Sequence, residues 1–202
     1  IFDVFFTVNG KDKHFYYSLT SALTLNKGTQ YTYTLNVDTR PAGSRPVDLG
    51  LPSGLKWAAG NVGAENPEDY GLYFAWGETT GYTAEQVKSG ERSFFLKDYV
   101  DNITSSDLTL EQDAAHVYMG GEWRMPTKAE CQELIDNCNV MWTDDYNGTG
   151  VKGRVFTSKI NGNSVFLPAA GVLYGTGIHD VNSYGEYWCK NFDTRMHTYS
   201  IY

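Results

Sequence analysis

A chain does chemistry with a nucleophile beside a base, with a cage of metal ligands, or with a face of rings and hydrogen-bonding groups that grips a ligand. The third pattern is the strongest here. Leu173 to Tyr202 hold five of the fifteen tyrosines with Trp188, Phe192, two His, two Asn, two Asp and Arg195, broken by Gly175, Gly177 and Gly185. Tyr and Trp offer large contact area at low side-chain entropy cost. Asn, Ser and Gly supply adaptable hydrogen bonds, and sugar rings stack on aromatic faces. Tyr174, Thr176, His179, Asp180, Asn182 and Tyr184 fall in a Gly-punctuated stretch and are candidate ligand contacts. Against that stands the reading in which a Tyr-rich C-terminal sheet simply builds core. Lys190 to Met196 is polar and mixed, without periodicity, and reads as an exposed loop. It brings Lys190, Asn191, Asp193, Arg195 and, just beyond it, His197 to the candidate face.

The catalytic and metal patterns are weaker. His14, His116, His179 and His197 are scattered, without His-x-x-x-His spacing, and there is no Gly-x-Ser-x-Gly elbow. Three cysteines, an odd number, cannot be a disulfide framework, and no pair has Cys-x-x-Cys spacing. Cys131 and Cys138, seven apart on one predicted helix, would have α-carbons about 10 Å apart at about 1.5 Å per residue. A bridge needs them within about 7 Å, so the cysteines read as free thiols packed like small hydrophobes. Asp144 to Gly150 has some of the oxygen density of a calcium loop but lacks the alternating ligands and the bidentate Glu. It reads as a polar turn, and Glu65 to Asp69 as a solvated acidic loop. No cofactor or metal is expected.

Composition sets the outer bounds. Across 202 residues, Asp+Glu 24 against Lys+Arg 16 gives a net charge of -8, opposite to the basic face that neutralises nucleic-acid phosphate. Nucleic acid and anionic membrane are excluded as expected partners. Aromatics at 15% and Gly 21 beside only 20% charged residues describe a strand- and turn-rich globular protein. Mean hydropathy is -0.41, and no apolar run approaches the roughly 18 residues that span a bilayer. The chain opens at Ile1 without Met, signal peptide or lipidation cysteine and so reads as a processed or excised piece.

Three strands are predicted in residues 1 to 40. Phe2, Val4, Phe6 and Val8 alternate, Asn9-Gly10 turns, Phe15, Tyr17 and Leu19 alternate, and Tyr31 to Val37 make the third. Three strands leave an apolar face uncovered, so either the preceding part of a larger sandwich is missing from this chain or the sheet packs on the second region. Residues 41 to 46, with Pro41 and Pro46, read as a linker. Beyond it, Val47 to Trp57 reads as a hairpin and Tyr73 to Trp76 as a short strand. Thr109 with Gln112 and Thr127 with Glu130 form capping-box patterns ahead of predicted helices at 110–119 and 129–138. In the second, Cys131, Leu134 and Cys138 make a narrow inward stripe. Short strands follow at 155–160 and 164–167 around an Asn161-Gly162-Asn163 turn. Two helices among short antiparallel strands and long loops make an α+β domain at 47–202.

Five ordered blocks carry a resemblance. They are Val47 to Gly63 (VDLGLPSGLKWAAGNVG), Tyr70 to Glu78 (YGLYFAWGE), Gly121 to Thr127 (GEWRMPT), Lys159 to Gly171 (KINGNSVFLPAAG) and Gly185 to Trp188 (GEYW). Over residues 47–202 the chain resembles the Fibrobacter succinogenes major paralogous domain family. The WRMPT helix start and the later Tyr-Trp are similar to the C-type lectin-like fold in the version shared with formylglycine-generating enzymes and with variable proteins of diversity-generating retroelements. Phe5 to Val37, with Lys27-Gly28-x-x-Tyr-x-Tyr, is similar to the end of fimbrillin-like domains of Bacteroidetes pili. The chain departs from the family at Trp188-Cys189-Lys190, where members commonly have Trp-Ser-Ser, and in ending at Tyr202 without the usual final strand.

The resemblance implies a C-type lectin-like domain behind the last strands of a fimbrillin-like sandwich, extracellular and cell-surface, on a pilus tip or surface adhesin. It implies a non-catalytic adhesion module that binds a host or bacterial surface protein or glycan through C-terminal loops, with neighbouring pilus subunits as further partners. The family motif places Tyr187 and Trp188 inside the fold. Variation in the retroelement-diversified proteins concentrates in this C-terminal stretch. The paired active-site cysteines of the formylglycine-generating enzymes carry over to no positions here. The alternative is a structural pilus or surface-layer subunit completed by strand addition from a neighbour.

Overall fold

The alternation at the N-terminus folds into a hairpin. Strands β1 (Phe2–Val8) and β2 (Lys11–Tyr17) pair antiparallel in a register that sets Phe2 opposite Tyr17, Val4 opposite Phe15 and Val8 opposite Lys11. This hairpin belongs to one compact unit, Ile1–Arg40, and everything that follows to a second, Pro41–Tyr202. The computed structural model describes residues 2–8, 11–17, 42–91, 107–192 and 198–201. The Asn9-Gly10 turn and the third strand predicted at Tyr31 to Val37 lie outside the described residues.

The segment read as a linker is built into the second unit. A 3-10 turn at Ala42–Ser44 is followed by strand β3 (Pro46–Asp48), which pairs antiparallel with β4 (Lys56–Ala58). Gly43 N donates to Glu65 O at 3.0 Å, Gly60 N to Gly43 O at 2.7 Å and Ala59 N to Arg45 O at 2.9 Å. Pro46 does not free the chain, because it begins a strand where a missing N–H costs little.

Three helices stand among the described residues: α1 (Ala84–Lys88), α2 (Ala114–Met119) and α3 (Lys128–Asn137). Thr127 Oγ1 accepts from Glu130 N and the Glu130 carboxylate accepts from Thr127 N, so the predicted capping box forms at the start of α3. The helix predicted at 110–119 is divided. Leu110–Gln112 makes only a 3-10 turn, and Asp113 begins α2 by accepting from His116 N at 3.0 Å. Its fully buried carboxylate also accepts from Met125 N at 2.8 Å, which ties α2 to the approach of α3. Cys138 does not end α3. It begins β5 (Cys138–Thr143), the first strand of an antiparallel β5-β6-β7 sheet with β6 (Gly153–Ser158) and β7 (Ser164–Pro168). Tyr73 to Trp76 gives a single antiparallel bridge, Tyr73 to Tyr82, and not a strand.

The remaining strands are β8 (Val172–Tyr174) with β9 (Gly177–His179), and β10 (Tyr187–Phe192) with β11 (Thr198–Ile201). A paired strand therefore lies at 198–201, which the sequence reading did not anticipate. Helices mixed with small antiparallel sheets make an α+β unit. Its main core joins Leu49 and Leu51, the α3 stripe of Cys131 and Leu134, Cys138, Phe156, Val165 and Cys189. Burying each large side chain of this set contributes about 1.5–3 kcal/mol. A second cluster gathers Ala75, Val87 and Leu173 under Tyr73, Tyr82 and Ile178, and so supports β8 and β9 from below.

Candidate functional site

Gly175 and Thr176 join β8 to β9, with Tyr174 paired to Gly177. Gly175 takes φ 63, a conformation that leaves the turn free of strain only for glycine. At its rim Tyr174 is 64% exposed, whereas Leu173 beside it is buried, the alternation expected of a strand with one face in the core. His179 follows on the exposed side, and one of its ring nitrogens, Nε2, lies 3.2 Å from Tyr174 O across the turn.

The next segment is held as firmly. Asp180 and Asn182 adopt φ 58 and φ 67, Tyr184 N donates to Asp180 O at 2.9 Å, and Asn182 N donates to Ala169 O at 2.9 Å. Gly171 N donates to Tyr184 O at 2.7 Å, and Gly171 bridges Gly185. Asn182 Oδ1 accepts from the Tyr70 hydroxyl at 3.0 Å, so this side chain joins two loops. Beneath them, the Tyr73 hydroxyl donates to Ala170 O and the Tyr187 hydroxyl to Pro168 O at 2.6 Å. Burial pushes the Tyr73 phenol up to about 12 and raises that of Tyr187 further, so both stay protonated donors.

Ser183, Tyr184 and Gly185 form one wall of an open groove of about 420 Å³, counting the space open to solvent. The other wall comes from the β5-β6-β7 sheet. Trp142 stands opposite Arg154, and Arg154 opposite Leu167, so ring, guanidinium and aliphatic chain form one cross-strand row along the groove. Trp142 is 44% exposed, and its indole N–H donates to Asp144 Oδ1 at 3.0 Å. Such a row can stack on an apolar or sugar face and offer charge beside it.

Of the residues proposed from sequence, Tyr174, Thr176, His179, Asp180, Asn182 and Tyr184 thus lie together on β8, β9 and the turn that follows. Lys190 and Asn191 do not lie in a loop. Both are in β10, where Lys190 N donates to Pro126 O and Lys190 O accepts from Leu108 N. Asn191 Oδ1 accepts from Lys128 N, and Asn191 Nδ2 donates to Asp107 Oδ1. Its amide therefore ties β10 to α3 and to the segment at 107. Asp193, Arg195 and His197 lie outside the described residues. Trp142 and Arg154 were missed because β5 itself was missed.

His116 and His179, the histidines whose side chains are described, each place a ring nitrogen on a main-chain carbonyl, that of Trp123 and that of Tyr174. Among the described residues no group of three His, Cys, Asp or Glu gathers where it could hold a metal. In the polar turn, Asp144 accepts from Trp142 and pairs with Lys152 at 3.1 Å, while Asp145 accepts from Gly150 N. No helix of the described residues is long and apolar enough to cross a membrane. Compared with protein-family models, curated proteins and solved structures, the chain finds no match.

Proposed function

We propose that this chain is a non-catalytic, extracellular adhesion module: a C-type lectin-like domain behind the end of a fimbrillin-like sandwich, carried on a bacterial pilus tip or cell surface. It recognises a surface protein or glycan through its C-terminal turns. The observation that carries this reading is the juxtaposition of the rigid Tyr174 to Tyr184 segment with the groove walled by Trp142, Arg154 and Tyr184. Rings held by backbone hydrogen bonds lose little entropy when a ligand docks, which is what a binding face requires of its anchors. The test is a glycan and protein array probed with the purified chain, with and without calcium. Binding lost in Tyr174→Ala with Arg195→Ala, at unchanged melting temperature, supports the reading; no binding in either condition refutes it.

A second reading, a structural subunit, draws on β5. Among the described residues this strand pairs only with β6, and it exposes Val140, Met141 and Trp142. An apolar open edge is a template for strand addition. On this reading adhesion survives the Tyr174 and Arg195 changes, and deletion of residues 1 to 40 abolishes assembly.

A further inference from the structure

Cys131 and Cys189 are 58 residues apart in sequence, yet their Sγ atoms lie 3.0 Å apart in the core, between α3 and β10. A disulfide measures about 2.05 Å, so the two sulfurs stand about 1 Å outside bonding distance. Hydrogen bonds on both sides fix this approach. Lys190 N donates to Pro126 O at 2.8 Å, and Lys128 N donates to Asn191 Oδ1 at 2.8 Å, setting the register of β10 against the start of α3. Cys131 N donates to Thr127 O in the first turn of α3, and Cys189 O accepts from Trp76 Nε1 at 2.8 Å. Each cysteine backbone is thus held on its own element, with the two sulfurs already facing one another.

We propose that Cys131 and Cys189 are a disulfide site, a covalent staple between α3 and β10, and that Cys138 remains the free thiol. The oxidant is the disulfide of a thiol–disulfide oxidoreductase, or of oxidised glutathione. A thiolate of one cysteine attacks that disulfide and expels one thiol, giving a mixed disulfide; the second cysteine then attacks its own partner's sulfur and expels the other. Both protein sulfurs are oxidised, the oxidant is reduced to two thiols, and the two protons leave with them. Cys131 is 5% exposed and Cys189 1%, so the exchange takes place while the chain folds, before α3 closes over β10. Once formed, the bond is shielded from reductants by Leu49, Leu134, Phe156 and Val165. In the folded, reduced state the S–H···S hydrogen bond, and burial after it, raise the pKa of Cys131. The proposal stands independently of what the surface binds.

The test is oxidative refolding of the full chain in reduced and oxidised glutathione, followed by denaturation, alkylation with and without a reductant, and mass spectrometry of the intact chain and its peptides. The expected result is one alkylated thiol without reductant, three with it, and a cross-linked peptide joining Cys131 to Cys189. The Cys138→Ala variant keeps that cross-link. Reduction lowers the melting temperature by about 10 °C, the size expected for a loop of this length in a domain of this size. Three alkylated thiols without reductant, or a bond that includes Cys138, overturns the proposal.

Discussion

Replacing Glu130 by Gln isolates the electrostatic share of the α3 start. Glu130 Oε1 lies 2.5 Å from Arg124 Nη2, and Oε2 lies 2.7 Å from both Arg124 Nη1 and Thr127 N. A glutamine carbonyl can still cap Thr127 N, but its amide nitrogen faces the guanidinium as a second donor. The variant therefore loses the bidentate pair while the cap survives. The hydrogen bonds from Arg124 lead in holding the Glu130 carboxyl down, from 4.5 to about 2. That shift corresponds to roughly 3 kcal/mol; the side chains are still 32% and 19% exposed, and solvent screening leaves about 1–2 kcal/mol. For a unit of this size that is about 3–6 °C of melting temperature. The sign follows from linkage. A carboxyl whose folded pKa is depressed stabilises fully above its unfolded value near 4.5 and loses that contribution as pH falls toward 2. Melts of wild type and Glu130→Gln between about pH 7 and pH 2.5 thus converge, with less than half the gap remaining near pH 3. A gap that stays constant or widens on acidification refutes the assignment, as does the absence of any gap at neutral pH.

Two further changes test the packing beneath the site. Leu134→Ala empties a fully buried position in the main core and costs about 3 kcal/mol by denaturant unfolding, with the slope unchanged. Tyr187→Phe removes the hydroxyl that donates to Pro168 O and accepts from Asn61 Nδ2; Pro168 O keeps its bond from Ala170 N, so the cost is that of one hydrogen bond, about 1 kcal/mol. Its loss is measured by the same unfolding curve.

Local signals were legible and long-range ones were not. Thr127 and Glu130 announce α3 because a capping box lies within four residues. Thr83 and Gln86 make the same box ahead of α1, but a helix of five residues leaves no periodicity to read. The Thr109 pattern also forms a hydrogen bond, from Thr109 N to Gln112 Oε1, yet Asp113 restarts the helix because its carboxylate is claimed by Met125, twelve residues on. Cys138 extends the α3 stripe in sequence. In the fold its extended backbone, φ -118 and ψ 150, begins β5 opposite Ser158. With β5 went the Trp142, Arg154 and Leu167 row, which exists only across three strands. The Tyr174 to Tyr184 candidates were legible from their glycines and aromatics. Lys190 and Asn191 look like loop residues for want of alternation, and their strand is set by partners at 107, 126 and 128.

The binding face is tested most directly by measuring the affinity of an array-identified ligand for the intact chain and for Tyr174→Ala with Arg195→Ala, alongside melting temperature. Tyr174 is largely exposed, so its loss leaves stability within about 0.5 kcal/mol. Affinity falling at least tenfold with the melting temperature unchanged is the result the account predicts. Undiminished affinity in the double variant, or a loss of affinity that only tracks a loss of stability, contradicts it.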